Sequence, residues 1–286
     1  MAEKPRASHH PDFKPLEASR PPFDPSKPPA YVQTPDPSWR FGQGPNHLYT
    51  PADAAQPFAV IDPNNHDRPA GSIYKLLISS VVPRPIALIS SASADGTALN
   101  LAPFSYFNLV AHDPPLFAAG FTGSIARPKD TLRNVLESRE AVVNIISEHY
   151  VEAANATSVD APYGCSEWDV SGLTPDFSTQ AVRAPRVKEA ILSIEVKVVS
   201  VQEFDSRIDP EKKSAVVVIF EGVRFWIRED ALDENKLVNP AVLKPVTRLG
   251  GISYGRTQEL FELQRPSFQK DLGGQEGFDN LKKPAN

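Results

Sequence analysis

An arginine held between two prolines is the first pattern in this chain that could do chemistry. Arg84 lies between Pro83 and Pro85 and precedes an apolar run. The proline rings restrict the backbone on both sides, and the planar guanidinium suits two-pronged contact with a phosphate or carboxylate. The pattern favours an anion-binding arginine. It leaves open a surface arginine at the entrance of a strand.

Aromatic and small polar residues are mixed in a second stretch, NLAPFSYFN, which runs from Asn100 to Asn108. We interpret it as a strand end that breaks at Pro103 and then presents Ser105 and Asn108 among aromatic side chains. Flat apolar contact beside amides and hydroxyls is what a flavin ring requires. The alternative is an ordinary turn, since Ser and Asn after a proline commonly form one.

A third stretch, RPKDTLRN, begins at Arg127 and opens a predicted helix. Asp130 is the expected N-cap of that helix. Free amides at the helix start, together with Lys129 and the Thr131 hydroxyl, could cradle a phosphate. A plain capped helix with solvated basic side chains is the alternative.

Several common catalytic motifs are missing from the sequence. There is no G-x-G-x-x-G between a strand and a helix, no G-x-x-x-x-G-K-[ST] and no H-E-x-x-H. We therefore predict no metal site and assign no catalytic residue. Cys165 is the only cysteine, which excludes an internal disulfide and fits a reducing compartment. We expect it to be an inert core thiol.

The three stretches lie among short apolar runs that are separated by turn signals. This pattern is typical of short strands and predicts a mainly β barrel or sandwich. Asp95-Gly96 reads as a hairpin turn between the first two strands. Helices do not alternate regularly with the strands, so a Rossmann or TIM fold is disfavoured. The predicted strands cover residues 86–91, 98–102, 116–121, 141–146, 191–201 and 215–227, and the predicted helices cover 131–138 and 150–157.

The two ends of the chain differ in composition from the middle. Twelve of the 29 prolines lie in the first 51 residues, where missing amide donors and fixed φ angles exclude helix and central strand. We predict an extended or partly disordered N-terminal arm over 1–66, a barrel domain over 67–265 and a polar tail over 266–286. The aromatic residues of the arm could dock on a surface, as an arm does in a dimer, or the arm could be a solvated tail.

Charge and hydropathy limit the possible partners. The net charge is −5, and this acidic balance argues against a nucleic acid partner. No apolar run is long enough to cross a bilayer. The start of the chain has neither the apolar segment of a signal peptide nor the acid-poor composition of a transit peptide. These features favour a cytoplasmic protein whose partners are small molecules or other proteins.

The order of the motifs gives a family resemblance. Four motifs occur in the same order as in the flavin reductase-like family of FMN-binding split barrels, which this sequence resembles. They are PRPIALIS, NLAPFSYFN, a DPP turn at 113–115 and KDTLRN. The sequence is also similar to this family at AVVNI (141–145), NAT (155–157), GLTP (172–175) and RLGG (248–251). The resemblance covers roughly residues 68 to 260.

The resemblance implies a six-stranded antiparallel split barrel of Greek-key type with flanking helices, usually a homodimer with FMN near the subunit interface. It places one group of residues around the phosphate and ribityl end: Arg84, Lys129, Asp130 and Thr131. It places a second group near the ring or the ribityl chain: Asn100, Ala102, Ser105, Phe107 and Asn108. Asn155 and Thr157 are weaker candidates at the pocket edge, and Arg248 is weaker still.

The resemblance also implies an oxidoreductase that passes hydride from NAD(P)H to the flavin and electrons on to an acceptor. Such chemistry belongs to the cofactor, so it needs no protein acid or base. The main alternative is an FMN-binding carrier or electron-transfer protein without nicotinamide-dependent activity. A third is an interaction protein that has lost FMN and binds partners through its Pro-rich arm.

Overall fold

The computed structural model describes residues 13–65, 69, 71–162 and 164–282. The predicted boundary between arm and barrel, at 66/67, lies outside these residues. So do the first 12 residues of the predicted arm and the last four of the predicted tail.

A seven-stranded antiparallel sheet forms the centre of the molecule. Its strands are β2 (Ala87–Ala92), β3 (Leu99–Phe104), β4 (Phe107–His112), β5 (Pro115–Thr122), β6 (Glu140–Ile145), β9 (Leu192–Asp205) and β10 (Lys213–Ile227). They are hydrogen-bonded in the order β3-β2-β6-β9-β10-β5-β4. The mainly β prediction is confirmed, with seven strands where the resemblance implied six.

Short paired strands lie outside the central sheet. They are β1 (Ala30–Tyr31), β7 (Pro175–Asp176), β8 (Arg186–Val187), β11 (Val246–Arg248), β12 (Tyr254–Arg256) and β13 (Glu259–Leu260). They pair as β1 with β13, β7 with β8 and β11 with β12.

Eight α-helices occur in the described part of the chain. They are α1 (Phe13–Ala18), α2 (Pro51–Ala54), α3 (Ser72–Ser80), α4 (Asp130–Ser138), α5 (Val151–Ala156), α6 (Glu167–Ser171), α7 (Pro240–Leu243) and α8 (Gly274–Leu281). Two 3₁₀ turns cover Glu148–Tyr150 and Glu229–Ala231. No helix in the described ranges is long and apolar enough to cross a membrane.

The sheet curls back on itself at one corner. β3 and β4 are the first and last strands of the hydrogen-bonded order, yet only Ser105 and Tyr106 connect them. The two edges must therefore approach each other there. The Phe104 and Phe121 rings pack 4.7 Å apart across this corner, which joins β3 to β5.

The prediction that the strand breaks at Pro103 is wrong. β3 continues through Pro103, which pairs with Leu88, and ends at Phe104. Proline is tolerated here because β3 is an edge strand, where one side of the backbone needs no sheet partner. β4 begins only three residues later. It was not predicted from the sequence, because Pro103 and the polar residues after it indicated a turn.

Both faces of β2 are buried, and period-2 alternation sends its side chains into two cores. Ala87 and Ile89 pack inside the curled sheet with residues such as Phe220. Leu88 lies on the other face, in a cluster with Trp168 under the outer helices and loops. The continuous apolar run of this strand therefore reflects coverage on both sides.

The hairpin between β2 and β3 has the predicted Asp-Gly turn. Gly96 adopts φ 77°, a conformation that a side chain would disfavour. The Asp95 carboxylate accepts hydrogen bonds from the Ser93 hydroxyl at 2.5 Å and the Thr97 hydroxyl at 2.8 Å. These bonds, with that from the Thr97 amide, lower the pKa of Asp95 to about 2.

A buried carboxylate in β9 organises the loop beside the sheet. Glu195 is fully buried and accepts hydrogen bonds from the backbone amides of Gln180, Ala181 and Val182. The Trp226 indole donates a further bond at 2.6 Å. Burial alone raises the pKa of Glu195, but these donors outweigh it and hold the pKa below its ordinary value.

The arm contains two short helices that the proline argument excluded. α2 begins at Pro51, where the missing amide costs nothing, and Thr50 and Asp53 cap it reciprocally. α1 holds Pro15 in its first turn, which also tolerates proline. Proline density therefore limited helix length in this segment without preventing helix formation.

The arm also contacts the C-terminal part of the chain. β1 runs parallel to β13, with the Ala30 amide donating to Gln258 O at 2.9 Å. Arg256 pairs with Glu148 through two bonds of 2.6 and 3.1 Å, donates to Asp24 O and lies 4.2 Å from the centre of the Phe23 ring. The arm is therefore docked on the chain at Phe23, Asp24 and β1.

Candidate functional site

A cleft of about 410 Å³ lies at the corner where β3 and β4 meet, facing the start of α4. Its volume lies within the usual range for small-molecule sites. The cleft brings together nine of the residues that the sequence singled out: Arg84, Asn100, Ala102, Ser105, Lys129, Asp130, Thr131, Thr157 and Arg248.

Three predicted site residues do not line this cleft. Phe107 is buried in the inner core, where its ring stacks on Phe117 at 5.9 Å. Asn108 is exposed on the edge strand β4, and its side chain accepts from the next backbone amide. Asn155 is exposed and accepts from the Tyr254 hydroxyl at 2.8 Å. Their assignment to the cofactor stays a prediction.

Arg84 is only 8% exposed, and backbone carbonyls occupy most of its donors. Its Nη1 donates to Ile78 O and Val81 O at 2.7 Å, and its Nη2 donates to Leu249 O at 3.3 Å. Nε is buried without a partner among the residues that the structure describes. The guanidinium therefore ties the end of α3 to the loop after β11, while its charge and the unpartnered Nε remain beside the cleft.

Arg248 adds a second positive charge to the same wall. Its backbone and that of Arg84 exchange hydrogen bonds of 2.9 and 3.1 Å. The Arg248 guanidinium donates to the carbonyls of Gly251 and Ser253 and stacks on Tyr254, 4.5 Å from the ring centre. Both arginines are held by neutral groups, so this wall keeps a net positive charge.

The start of α4 differs from the sequence prediction by one residue. Lys129 is the N-cap, and Asp130 is the first helical residue. Since lysine cannot accept a hydrogen bond, no side chain caps the first-turn amides. Lys129 is exposed and has no ion pair within the described ranges. The cleft therefore meets an open helix end beside a free cation, an arrangement that favours an anion.

Asn100 and Thr131 contact each other at the floor of the cleft, and a buried acid joins them. Asn100 Nδ2 donates to Thr131 Oγ1 at 2.7 Å in one orientation of its amide. In the reverse orientation, Nδ2 donates to Glu167 Oε2 at 3.1 Å, and Oδ1 accepts from Thr131 Oγ1 at 2.7 Å. The Leu101 amide donates to the same Glu167 oxygen at 3.2 Å. Burial, with Asp130 nearby, raises the pKa of Glu167.

Sequence reasoning missed Glu167 and two tyrosines in the cleft. Glu167 lies in a short helix with no motif around it, and only the fold brings it to Asn100. Tyr74 and Tyr106 line the opening, and burial raises the pKa of Tyr106. Gly120 lets Tyr106 approach β5, since a Cβ there would lie 3.1 Å from Tyr106 Cβ.

One prediction about a reactive side chain is wrong. Cys165 was expected to be a core thiol and is exposed. It lies in the loop before α6.

Residues 79–244 match the flavin reductase like domain family, which is more than half of the chain. The chain belongs to the flavin reductase-like family. An uncharacterized protein of Bacillus subtilis, YwrF, is 37% identical over 199 residues, which is 69% of this chain and 95% of that protein.

Solved structures of similar proteins agree with the family and the fold. Nitrilotriacetate monooxygenase component B from Bacillus cereus is 35% identical with a TM-score of 0.67, over 73% of this chain and all of that one. The 2-nitrobenzoate 2-nitroreductase NbaA of Pseudomonas fluorescens is 30% identical with a TM-score of 0.63, over 73% of this chain and 98% of that one. A flavin reductase with a split barrel domain from Shewanella frigidimarina has a TM-score of 0.62 and is 21% identical, over 73% of this chain and all of that one, so the fold is that of a split barrel. The resemblance seen in the sequence is confirmed.

The residues present in this flavin reductase-like chain fit a flavin mononucleotide. The uncapped start of α4, Lys129 and the unpartnered Nε of Arg84 suit a phosphate. Apolar surface from Ala102 and Phe104, with polar backbone between them, suits a ring. The family supports a flavin as the small-molecule partner.

Proposed function

We propose that this protein is an FMN-dependent oxidoreductase of flavin reductase type, which takes hydride from NADH or NADPH and passes electrons to an acceptor. The observation that carries the proposal is the corner cleft, where an uncapped helix start and a free lysine share one cleft with the apolar surface of Ala102 and Phe104. Two similar proteins, a monooxygenase component B and a nitroreductase, have names that point to redox chemistry.

The anionic end of the cofactor is proposed to lie against the start of α4. There the first-turn amides donate hydrogen bonds and Lys129 supplies charge, while Arg84 and Arg248 add a positive wall. The Ser105 hydroxyl and the backbone near Ala102 are proposed to fix the orientation of the ring. Phe107 and Asn108 would act through the position of β4.

The cofactor when bound supplies the hydride and electron chemistry, so no protein acid or base is indispensable. The chain's own task is to position the ring and to keep water from one face of it. Phe104 and the core under the corner cover that face in the proposed arrangement, whereas Tyr74 and Tyr106 border the open side where a nicotinamide would enter.

A visible spectrum recorded without oxygen tests the proposal. The purified protein is loaded with FMN, and NADH and then NADPH are added. Loss of the oxidised flavin absorbance within seconds supports the oxidoreductase and identifies its donor. If the bound flavin stays oxidised with both donors, the result favours a carrier or electron-transfer protein instead of the oxidoreductase. Failure to load FMN would contradict both of these functions. It would favour an interaction protein that binds partners through its Pro-rich arm.

We also propose that the protein is a cytoplasmic homodimer built from a terminal arm, a barrel domain and a C-terminal tail. Leu109 and Val110 on the edge strand β4, with Val223 and Phe225 on β10, are exposed apolar side chains of the central sheet. A second copy would cover them and the open strand edge. Light scattering after size exclusion decides this, and a monomer mass at micromolar protein contradicts it.

A further inference from the structure

We propose that Glu167 is a positioning residue that sets the hydrogen-bond direction of Thr131 in the cleft, acting through the side-chain amide of Asn100. This inference rests on the proposed function, because it concerns how the same cleft holds the phosphate end of FMN. Glu167 touches no reacting atom in this account.

The geometry of three side chains carries the proposal. Asn100, Thr131 and Glu167 are 6%, 4% and 6% exposed, and all three line the cleft. The Asn100 amide lies between the other two, 2.7 Å from Thr131 Oγ1 and 3.1 Å from Glu167 Oε2. A change in the protonation of Glu167 can therefore alter the hydrogen bonding of Thr131 through the orientation of the Asn100 side-chain amide.

The ionised state of Glu167 fits one amide orientation, and the protonated state also permits the other. An ionised carboxylate only accepts, so Asn100 turns Nδ2 toward it and Oδ1 toward Thr131. The Thr131 hydroxyl then donates to Oδ1 and offers only an acceptor to the cleft. A protonated carboxyl can donate to Oδ1, and Nδ2 then donates to Thr131 Oγ1. The hydroxyl proton of Thr131 is then free to point into the cleft.

The charges around Glu167 favour a proton on it more than in an exposed glutamate. Asp130 at the start of α4 raises its pKa, in addition to the effect of burial. The other charged groups that line the cleft are Lys129, Asp160, Arg84 and Arg248, and none of them forms an ion pair with Glu167 within the described ranges. β3, which packs against α6, has no titratable side chain, and α5 carries only Glu152.

A phosphate distinguishes the two states of Thr131. A phosphate dianion can only accept hydrogen bonds, so it gains a donor when Glu167 is protonated and meets a second acceptor when Glu167 is ionised. A ribityl hydroxyl can donate or accept and adapts to both states. The proposal therefore concerns the preference for FMN over riboflavin, and it predicts that this preference strengthens as pH falls through the titration of Glu167.

Fluorescence titration of the apoprotein with FMN and with riboflavin, from pH 5 to pH 9, tests the inference. The ratio of the two affinities is compared between the natural protein and Glu167→Gln, because phosphate titration affects both proteins equally. We expect the ratio in the natural protein to change with pH by about threefold to tenfold more than in Glu167→Gln. Thr131→Ser should keep this excess, and Thr131→Val should abolish it.

The possible outcomes separate this inference from the proposed function. Absence of FMN binding in the natural protein at every pH contradicts the proposed function. Tight FMN binding with the same pH profile in the natural protein and Glu167→Gln contradicts only the role of Glu167.

A second measurement covers a Glu167→Gln variant that fails to fold. Infrared difference spectra of Thr131→Val and the natural protein, recorded across the same pH range, should both show a titrating protonated carboxyl band. Only the natural protein should shift that band when FMN is added. If FMN shifts the carboxyl band in neither protein, the proposal is contradicted.

Discussion

At the scale of single residues, Lys129 is the side chain whose removal tests the phosphate end of the cleft most directly. Its side chain is exposed and makes no capping hydrogen bond at the start of α4, so Lys129→Ala should leave the fold intact. Loss of one charge-assisted contact of about 1.5 to 3 kcal/mol should weaken FMN about 10- to 150-fold. Fluorescence titration measures this, with Lys197→Ala, an exposed lysine of β9, as the control.

Thr131 is less suitable for this test than its place in the sequence indicated. It is buried against Asn100, so truncation removes an internal hydrogen bond as well as any contact with the cofactor. Affinity that is unchanged in Lys129→Ala would exclude the start of α4 as the phosphate site.

Glu195 provides a prediction about stability and pH. Glu195→Gln replaces an acceptor of four hydrogen bonds with an amide whose NH₂ faces donors, and should cost about 2 to 4 kcal/mol of unfolding free energy. Because the native pKa of Glu195 lies below its unfolded value, the stabilisation is present above pH of about 4.5 and is lost as pH falls through the native pKa.

Urea unfolding at pH 7 and at successively lower pH measures this difference. The gap between the natural protein and Glu195→Gln should narrow with acid. Glu234→Gln, on an exposed turn, is the matched control and should change stability by less than about 0.5 kcal/mol. A gap that widens with acid would contradict the account of Glu195.

At the scale of elements, the corner between β3 and β4 depends on a glycine in β5. The Gly120 amide donates to Tyr106 O at 2.7 Å, and a methyl group there would crowd Tyr106. Gly120→Ala should therefore shift the corner, cost about 1 to 3 kcal/mol and weaken flavin binding. Combined urea and flavin titrations measure both effects, and an unchanged value of each would show that the corner adapts freely.

Local signals predicted those elements that are specified locally. Asp95-Gly96 and the alternating apolar runs identified the hairpin and six of the seven central strands because turn chemistry and side-chain period act over a few residues. β4 was missed because its pairing with β5 outweighed the turn preference of Pro103 and Ser105. The order of four short motifs indicated the family.

The cleft could be predicted only in part. Lys129 and Thr131 were found because a helix start carries its own signal. Glu167 was not, since a buried acid is recognisable only from what folds over it. Arg84 lines the cleft, but its carbonyl partners come from α3 and from Leu249, which is far away in sequence, so its occupied donors could not be foreseen.

At the scale of the whole molecule, Arg256 connects the arm to the rest of the chain. Arg256→Ala removes the Glu148 pair, the bond to Asp24 O and the stacking on Phe23. The arm should then detach more often, and the amides of Ala30 and Val32 should exchange with deuterium faster, about tenfold for each ~1.4 kcal/mol lost.

Hydrogen exchange followed by mass spectrometry reports on the peptide around β1. Arg265→Ala, which removes an exposed arginine nearby in sequence, should leave that exchange unchanged. Equal exchange in the two variants would mean that β1 and β13 hold the arm without Arg256.

The pairing of β1 with β13 has a consequence for the order of folding. These two strands enclose nearly the entire chain between them and share only two residue pairs. Closing so long a loop for so few bonds is entropically unfavourable until the barrel has already brought the ends together. The two ends should therefore join last during synthesis and refolding, and they should separate first when the protein is heated.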